Sequence, residues 1–270
     1  MKDSTQPLGR KKVLILTLIA LVVVPLLFSY NIFQERKYET AILEGTHFAY
    51  LSGDAHSYFE PMESFIQTGV YESHSRDAGF SRTGRTPHYA VFYWIARLFF
   101  TQNNALDAVI IFQLLLRILS AVVFYRLALA LTGRSNTAAI AFAMFILLSA
   151  MSIHAYRFMT ESLSMSFFIF GCWYFVRWKK TGRMLHLLIA GTFAGYLICM
   201  RPFMLPVIGA LVAANVFLPH IRQLFAAKLK SAVLFFVPLV LLLTPWVIRN
   251  YSVTGTRVVC QEDVNAGYKF

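Results

Sequence analysis

Charge is what this sequence has least of. Only 14% of its 270 residues are Asp, Glu, Lys or Arg, against about 25% in an ordinary soluble domain. The scarcity is sharpest in runs, and residues 13–29 carry no charge at all. A soluble fold of this length could not hide 57% apolar residues in a single core, so that class is excluded. Cysteine is scarce too. Of the three, Cys172 and Cys199 fall in apolar runs and Cys260 stands alone in a polar tail, so there is no disulfide framework. No Gly-rich nucleotide loop is present, because the surroundings of Gly79 and Gly84 lack the required pattern. Internal repeats and low-complexity stretches are also missing.

What is there is a series of apolar runs. A bilayer core of about 30 Å takes roughly 20 apolar residues as a helix. Spans are expected at 13–30, 105–131, 136–153, 161–178, 187–200, 203–218 and 231–248. The first could pass for a signal peptide, but it ends in Phe28-Ser29-Tyr30 without an A-x-A-like site, so it reads as a retained helix. The fifth and sixth are split by Arg201-Pro202, and fourteen helical residues reach only about 21 Å. A shallow hairpin and one long kinked helix both fit that length. The hairpin is preferred, since it keeps Arg222, Lys228 and Lys230 with the other basic loops.

The net charge of +12 would suit a polyanionic partner, yet its placement has another cause. With the N-terminus inside, segments 1–12, 132–136, 177–186 and 219–231 hold twelve Lys or Arg and one acid, Asp3. The long loop 31–104 holds six basic and eight acidic residues. That is the positive-inside asymmetry of a membrane protein, and it requires no nucleic acid. The fold class is therefore an all-α integral membrane protein of about seven transmembrane helices. Its N-terminus is cytoplasmic, and a large first loop faces outward. Within that loop, Tyr58, Met62, Phe65 and Ile66 share a helical face, which predicts an amphipathic helix lying on the membrane. Pro61 would kink or start it. A second patch, from Tyr89 to Phe100, opens after Pro87 and is too short to span.

This topology gathers polar residues near the outer membrane face: Asp54, Arg85, Glu161, Arg201 and Arg249. Each has a plainer reading. Asp54 follows Gly53 and could cap the helix after it. Glu161 would suit the positive end of the fourth helix. Arg201 and Arg249 could be interfacial anchors. The chemical reading is a shared pocket, in which a carboxylate serves as general base to an acceptor hydroxyl or amine. Arginines would there hold a phosphate. Arg85, two residues before Pro87, sits beside a helix N-terminus that favours the same anion. His47, His56, His74 and His88 with Asp54 match no zinc spacing; no metal site is assigned, and a divalent metal is left open as the weaker reading. Arg117, near the middle of the second span, is either functional or paired with a backbone carbonyl.

Four stretches, in order along the chain, resemble the polytopic glycosyltransferases of the GT-C type. The likeness is to the bacterial relatives of the protein O-mannosyltransferases and to the lipid A aminoarabinose transferase. The stretches are Gly53-Asp54-Ala55-His56-Ser57-Tyr58 continuing to Gly69-Val70-Tyr71, then Arg85-Thr86-Pro87-His88-Tyr89, then Thr160-Glu161-Ser162-Leu163. The last is Gly191 to Gly195 leading into Arg201-Pro202, together with Pro245-Trp246-Val247-Ile248-Arg249-Asn250. The resemblance implies a polyprenyl-phosphate sugar donor, a lipid, glycan or protein acceptor, and inverting transfer at the outer face of the cell (inner) membrane. It makes Asp54 the base, Glu161 a second acid of the pocket, and Arg85, Arg201 and Arg249 contacts to the donor phosphate. Some members carry a second acid beside the first-loop Asp, whereas His56 stands here. The family usually continues with further helices and often an outer domain. Residues 1–270 are accordingly read as a single transmembrane core lacking that C-terminal part. Two other classes remain open at this point: a transporter or flippase, which would usually show repeat symmetry, and a non-catalytic membrane scaffold.

Overall fold

The computed structural model describes residues 10–38, 49, 51, 53–75, 79–81, 85–147, 157–217 and 225–255. Helix α1 covers Arg10–Tyr38, α2 Gly53–Thr68, α3 Ala90–Arg97, α4 Gln102–Thr132 and α5 Ser135–Leu147. Helix α6 covers Thr160–Thr181, α7 Met184–Met200, α8 Leu205–Phe217 and α9 Phe225–Thr254. Each expected span thus coincides with a helix, as far as the described residues reach. Three are long and apolar enough to cross a membrane, at Lys11–Gln34, Gln102–Thr132 and Leu229–Thr254. Leu14, Leu18 and Val22 on α1, like Val233, Val240 and Leu241 on α9, are exposed. An integral membrane protein turns such surface toward lipid.

Helix α4 is the central post. Helices α1, α5 and α6 pack against it, α7 packs on α6, and α9 packs on α7. It ends at Gly133, whose left-handed backbone (φ 69°) donates its N–H to Leu129. Arg117, buried within α4, donates to the carbonyl of Ile146 on α5 and lies 5.7 Å from the Phe145 ring. The carbonyl reading of that arginine is the one its geometry favours. Helices α7 and α9 approach unusually closely. A Cβ at Gly191 would collide with the carbonyl oxygen of Phe235, and one at Gly195 would lie 2.9 Å from Cα of Leu239. Two small residues one turn apart let the backbones touch, as in tight membrane helix pairs. Between α7 and α8 the helix breaks at Arg201 (φ −142°, ψ 86°), and Pro202–Met204 forms one 3₁₀ turn. Both α7 and α8 touch α9.

The first loop departs from expectation in two places. It holds a two-stranded antiparallel hairpin, β1 (Ser73–Ser75) against β2 (Gly79–Ser81), with His74 opposite Phe80. The chain is therefore nearly, not wholly, helical; strands this short carry too little alternation to be legible. Helix α2 also divides its apolar face. Tyr58 and Met62 are buried with Ala55 and Phe59 in the bundle, while Phe65 and Ile66 are exposed. A face expected to lie on the membrane is half covered by protein. The cause is α3, which packs against α2 and brings Tyr89 and Tyr93 onto Phe59, Tyr58 and Phe158.

Candidate functional site

The site is built where the first loop meets the ends of α6, α7 and α9. Arg85 precedes the Pro87–Tyr89 turn that starts α3, and Pro87 accepts the Val91 N–H at 2.8 Å. Its Nη1 donates to the Tyr58 hydroxyl at 2.5 Å, and its guanidinium carbon lies 4.4 Å from that ring. Tyr58 comes from the middle of α2 and lies 3.4 Å from the Thr160 hydroxyl at the start of α6. Thr160 in turn accepts from Nε of Arg201 at 2.8 Å. Arginine only donates, so both guanidinium groups donate inward to the hydroxyl pair, and either oxygen can donate the hydrogen bond between the two. Burial, more than the opposing pull of Arg85, raises the Tyr58 pKa, so it stays a neutral phenol. Arg201 also forms an ion pair with Oε1 of Glu161. The second oxygen of Glu161 is buried and has no hydrogen-bond partner among the described residues.

Arg249 joins the same row through Tyr71. Its Nη2 donates to the Tyr71 carbonyl at 2.6 Å and its Nη1 to Asn250 at 3.0 Å. The guanidinium sits 5.1 Å from the Trp246 ring, and Trp246 meets Tyr71 edge-on at 5.4 Å. The Tyr71 hydroxyl donates to the carbonyl of Arg85 at 3.1 Å. Four of the five residues singled out from sequence, Arg85, Glu161, Arg201 and Arg249, are therefore linked through Tyr58, Thr160 and Tyr71. The fifth, Asp54, is the second residue of α2 and stands one turn before Tyr58. Its side chain lies outside the described residues.

The linking hydroxyls were not singled out from sequence, although Tyr58, Tyr71 and Thr160 all stand inside the quoted stretches. Segment 86–88 is stitched to two helices. Thr86 donates to the Cys199 carbonyl at 2.5 Å, Tyr196 donates to the His88 carbonyl at 2.6 Å, and His88 Nε2 lies 3.3 Å from the Leu242 carbonyl. Burial lowers the His88 pKa, so the ring is neutral. His88 is buried between helices, His56 pairs with Glu60 at 2.7 Å, and no three His, Cys, Asp or Glu residues gather among the described residues. The side chains of His47 and His74 lie outside them. One further acid, Asp107 at the top of α4, is buried and accepts the Ala49 N–H at 2.8 Å.

This bundle keeps guanidinium groups and an acid together at the ends of its apolar helices, and the comparison with known families places it among the polytopic membrane glycosyltransferases of the GT-C type. The family model described as dolichyl-phosphate-mannose-protein mannosyltransferase matches residues 87–248, more than half of the chain, and the chain belongs to that family. Glu161 and Arg201 fall within the match, whereas Asp54 and Arg85 precede it and Arg249 directly follows it. No curated protein and no solved structure matches the chain.

Proposed function

We propose that this chain carries the core of an inverting glycosyltransferase working at the outer face of the cell membrane. Seven helices cross the bilayer with the N-terminus cytoplasmic, as the basic inner segments support. The donor is a polyprenyl-phosphate sugar, and the acceptor is a lipid, glycan or protein hydroxyl or amine. Membership of a family named for dolichyl-phosphate-mannose as donor supports a lipid-phosphate leaving group. The observation that carries the reading is the row of Arg85, Arg201 and Arg249 held around Tyr58, Thr160 and Tyr71. Guanidinium groups held in a partly dry place make strong, paired hydrogen bonds to phosphate oxygens.

In this mechanism the acceptor gives its proton to the Asp54 carboxylate as its oxygen or nitrogen bonds to the sugar's anomeric carbon. The bond from that carbon to the phosphate oxygen breaks, and its electron pair leaves with the polyprenyl phosphate. The arginines stabilise the charge that develops there, which raises the rate as well as the affinity. Glu161, kept oriented by Arg201, offers its second oxygen to a hydroxyl of sugar or acceptor.

The test is binding of a polyprenyl phosphate to the purified protein, followed by transfer. Arg85→Ala should weaken binding and slow transfer, and Arg85→Lys should recover only part, because lysine lacks the planar fork. Asp54→Asn should leave donor binding intact and lower transfer by about 10²–10⁴-fold, while keeping any capping role. Absent binding, or binding unchanged by Arg85→Ala, overturns the reading and is what a scaffold or an unrelated transporter gives.

A further inference from the structure

Helix α9 contains Pro238 and Pro245. A proline has no N–H to give the carbonyl four residues earlier, and its ring crowds that turn, so proline is where a helix bends. Pro245 therefore leaves the Leu241 carbonyl without its helical donor. At the neighbouring carbonyl stands His88, with Nε2 3.3 Å from the Leu242 oxygen. His88 is 8% exposed, and its ring meets Tyr196 edge-on at 5.5 Å. Its Nδ1 is buried and has no hydrogen-bond partner among the described residues. A ring whose one satisfied nitrogen reaches across to another helix's backbone is placed for that bond. The residues directly past the bend are Trp246 and Arg249, which meet Tyr71. Three residues before His88 is Arg85, on the other side of the same row.

We infer that His88 is a positioning residue: it braces helix α9 at the Pro245 bend and so fixes where Trp246 and Arg249 stand relative to Arg85. The brace has two ends. Tyr196 and Thr86 tie the His88 segment to α7, and the imidazole ties it to α9. Bending at Pro245 is then limited by the loop that carries Arg85, so both sides of the row move together or not at all. Glutamine at 88 retains a donor at a comparable reach. Phenylalanine retains a ring to pack on Tyr196 but has no donor, and leucine is smaller and has neither ring nor donor.

The inference builds on the proposed site, but its test does not depend on turnover. Hydrogen exchange is followed by mass spectrometry on the full chain in lipid nanodiscs. His88→Phe, or His88→Leu should the larger ring not be accepted, should raise exchange severalfold in peptides covering 243–252 and leave α4 and α6 unchanged. His88→Gln should exchange like the parent. In a Pro245→Ala background, where the bend is removed, the His88→Phe change should add nothing. Unchanged exchange at 243–252 in both donor-less variants overturns the inference. So does a rise spread evenly over the chain, or a full effect persisting in the Pro245→Ala background. A chain that binds no polyprenyl phosphate would overturn the proposed function and leave this result standing.

Discussion

Two acid–arginine pairs in this molecule are built to opposite plans. Glu63 on α2 accepts from Tyr93 at 2.6 Å, from Nε of Arg97 at 3.0 Å, from Nη2 of Arg97 at 3.0 Å and from Gln67 at 3.0 Å. Both oxygens are fully used, and the Arg97 guanidinium is the largest reason its carboxyl is held down at about 2. Glu161 on α6 pairs with Arg201 through one oxygen and leaves the other buried without a partner among the described residues. A carboxylate with every lone pair satisfied fastens two helices. One with an oxygen kept back has room for a ligand, since burying an unsatisfied acceptor costs about 1–3 kcal/mol. The difference separates structure from function more sharply than charge or burial does.

The comparison breaks most visibly at Glu161. Glu161→Gln keeps the shape but loses the charge facing Arg201, and should lower transfer by about 10²-fold or more with little change in α2–α3 packing. A variant with parental turnover would place Glu161 with Glu63 as a mere fastener. Glu63→Gln should do the reverse. It leaves Arg97 facing no charge and should cost about 3 kcal/mol, read as a lower midpoint of thermal unfolding in detergent, with donor affinity within a few-fold of the parent. Tyr93→Phe removes one of four donors to Glu63 and should cost about 1 kcal/mol by the same measurement. The smallest effect is that of pH. The folded Glu63 has a pKa of about 2 against an ordinary 4.5, so its contribution is complete above that ordinary value. It fades only as pH falls from about 4.5 toward about 2. Protease cleavage between α2 and α3 should therefore be flat from pH 7 to about pH 5 and rise below that. In Glu63→Gln the same profile should lose this rise.

That Arg85, Glu161, Arg201 and Arg249 would stand near one another was legible in sequence, because membranes force charge to the ends of apolar runs and Pro87 sets Arg85 beside a helix start. The Glu63–Arg97 fastening could not be read, since its partners stand 34 residues apart and meet only when α3 folds back on α2. A faint signal existed in Tyr93 and Arg97, which share a face of α3 at a four-residue spacing. The hydroxyls that join the arginines were hidden for another reason. Tyr58, Tyr71 and Thr160 look like ordinary interfacial residues, and only the fold reveals what each one touches. The divided face of α2 shows the limit of periodicity, which reports that a stripe is apolar but not whether protein or lipid covers it.

The contact at Gly191 and Gly195 has a consequence far from itself. Helices α7 and α9 run side by side in the same direction, since Gly191 faces Phe235 and Gly195 faces Leu239. Arg201 follows Gly195 by six residues, about 9 Å along the axis, and Arg249 extends from the neighbouring helix past its bend. The gap between those two cations is thus gauged from below, by two methyl groups that are not there. Alanine at either glycine would touch no part of the site, yet it would spread the two helices like a shim slipped between rails. The width of the proposed anion seat would change with no charge removed.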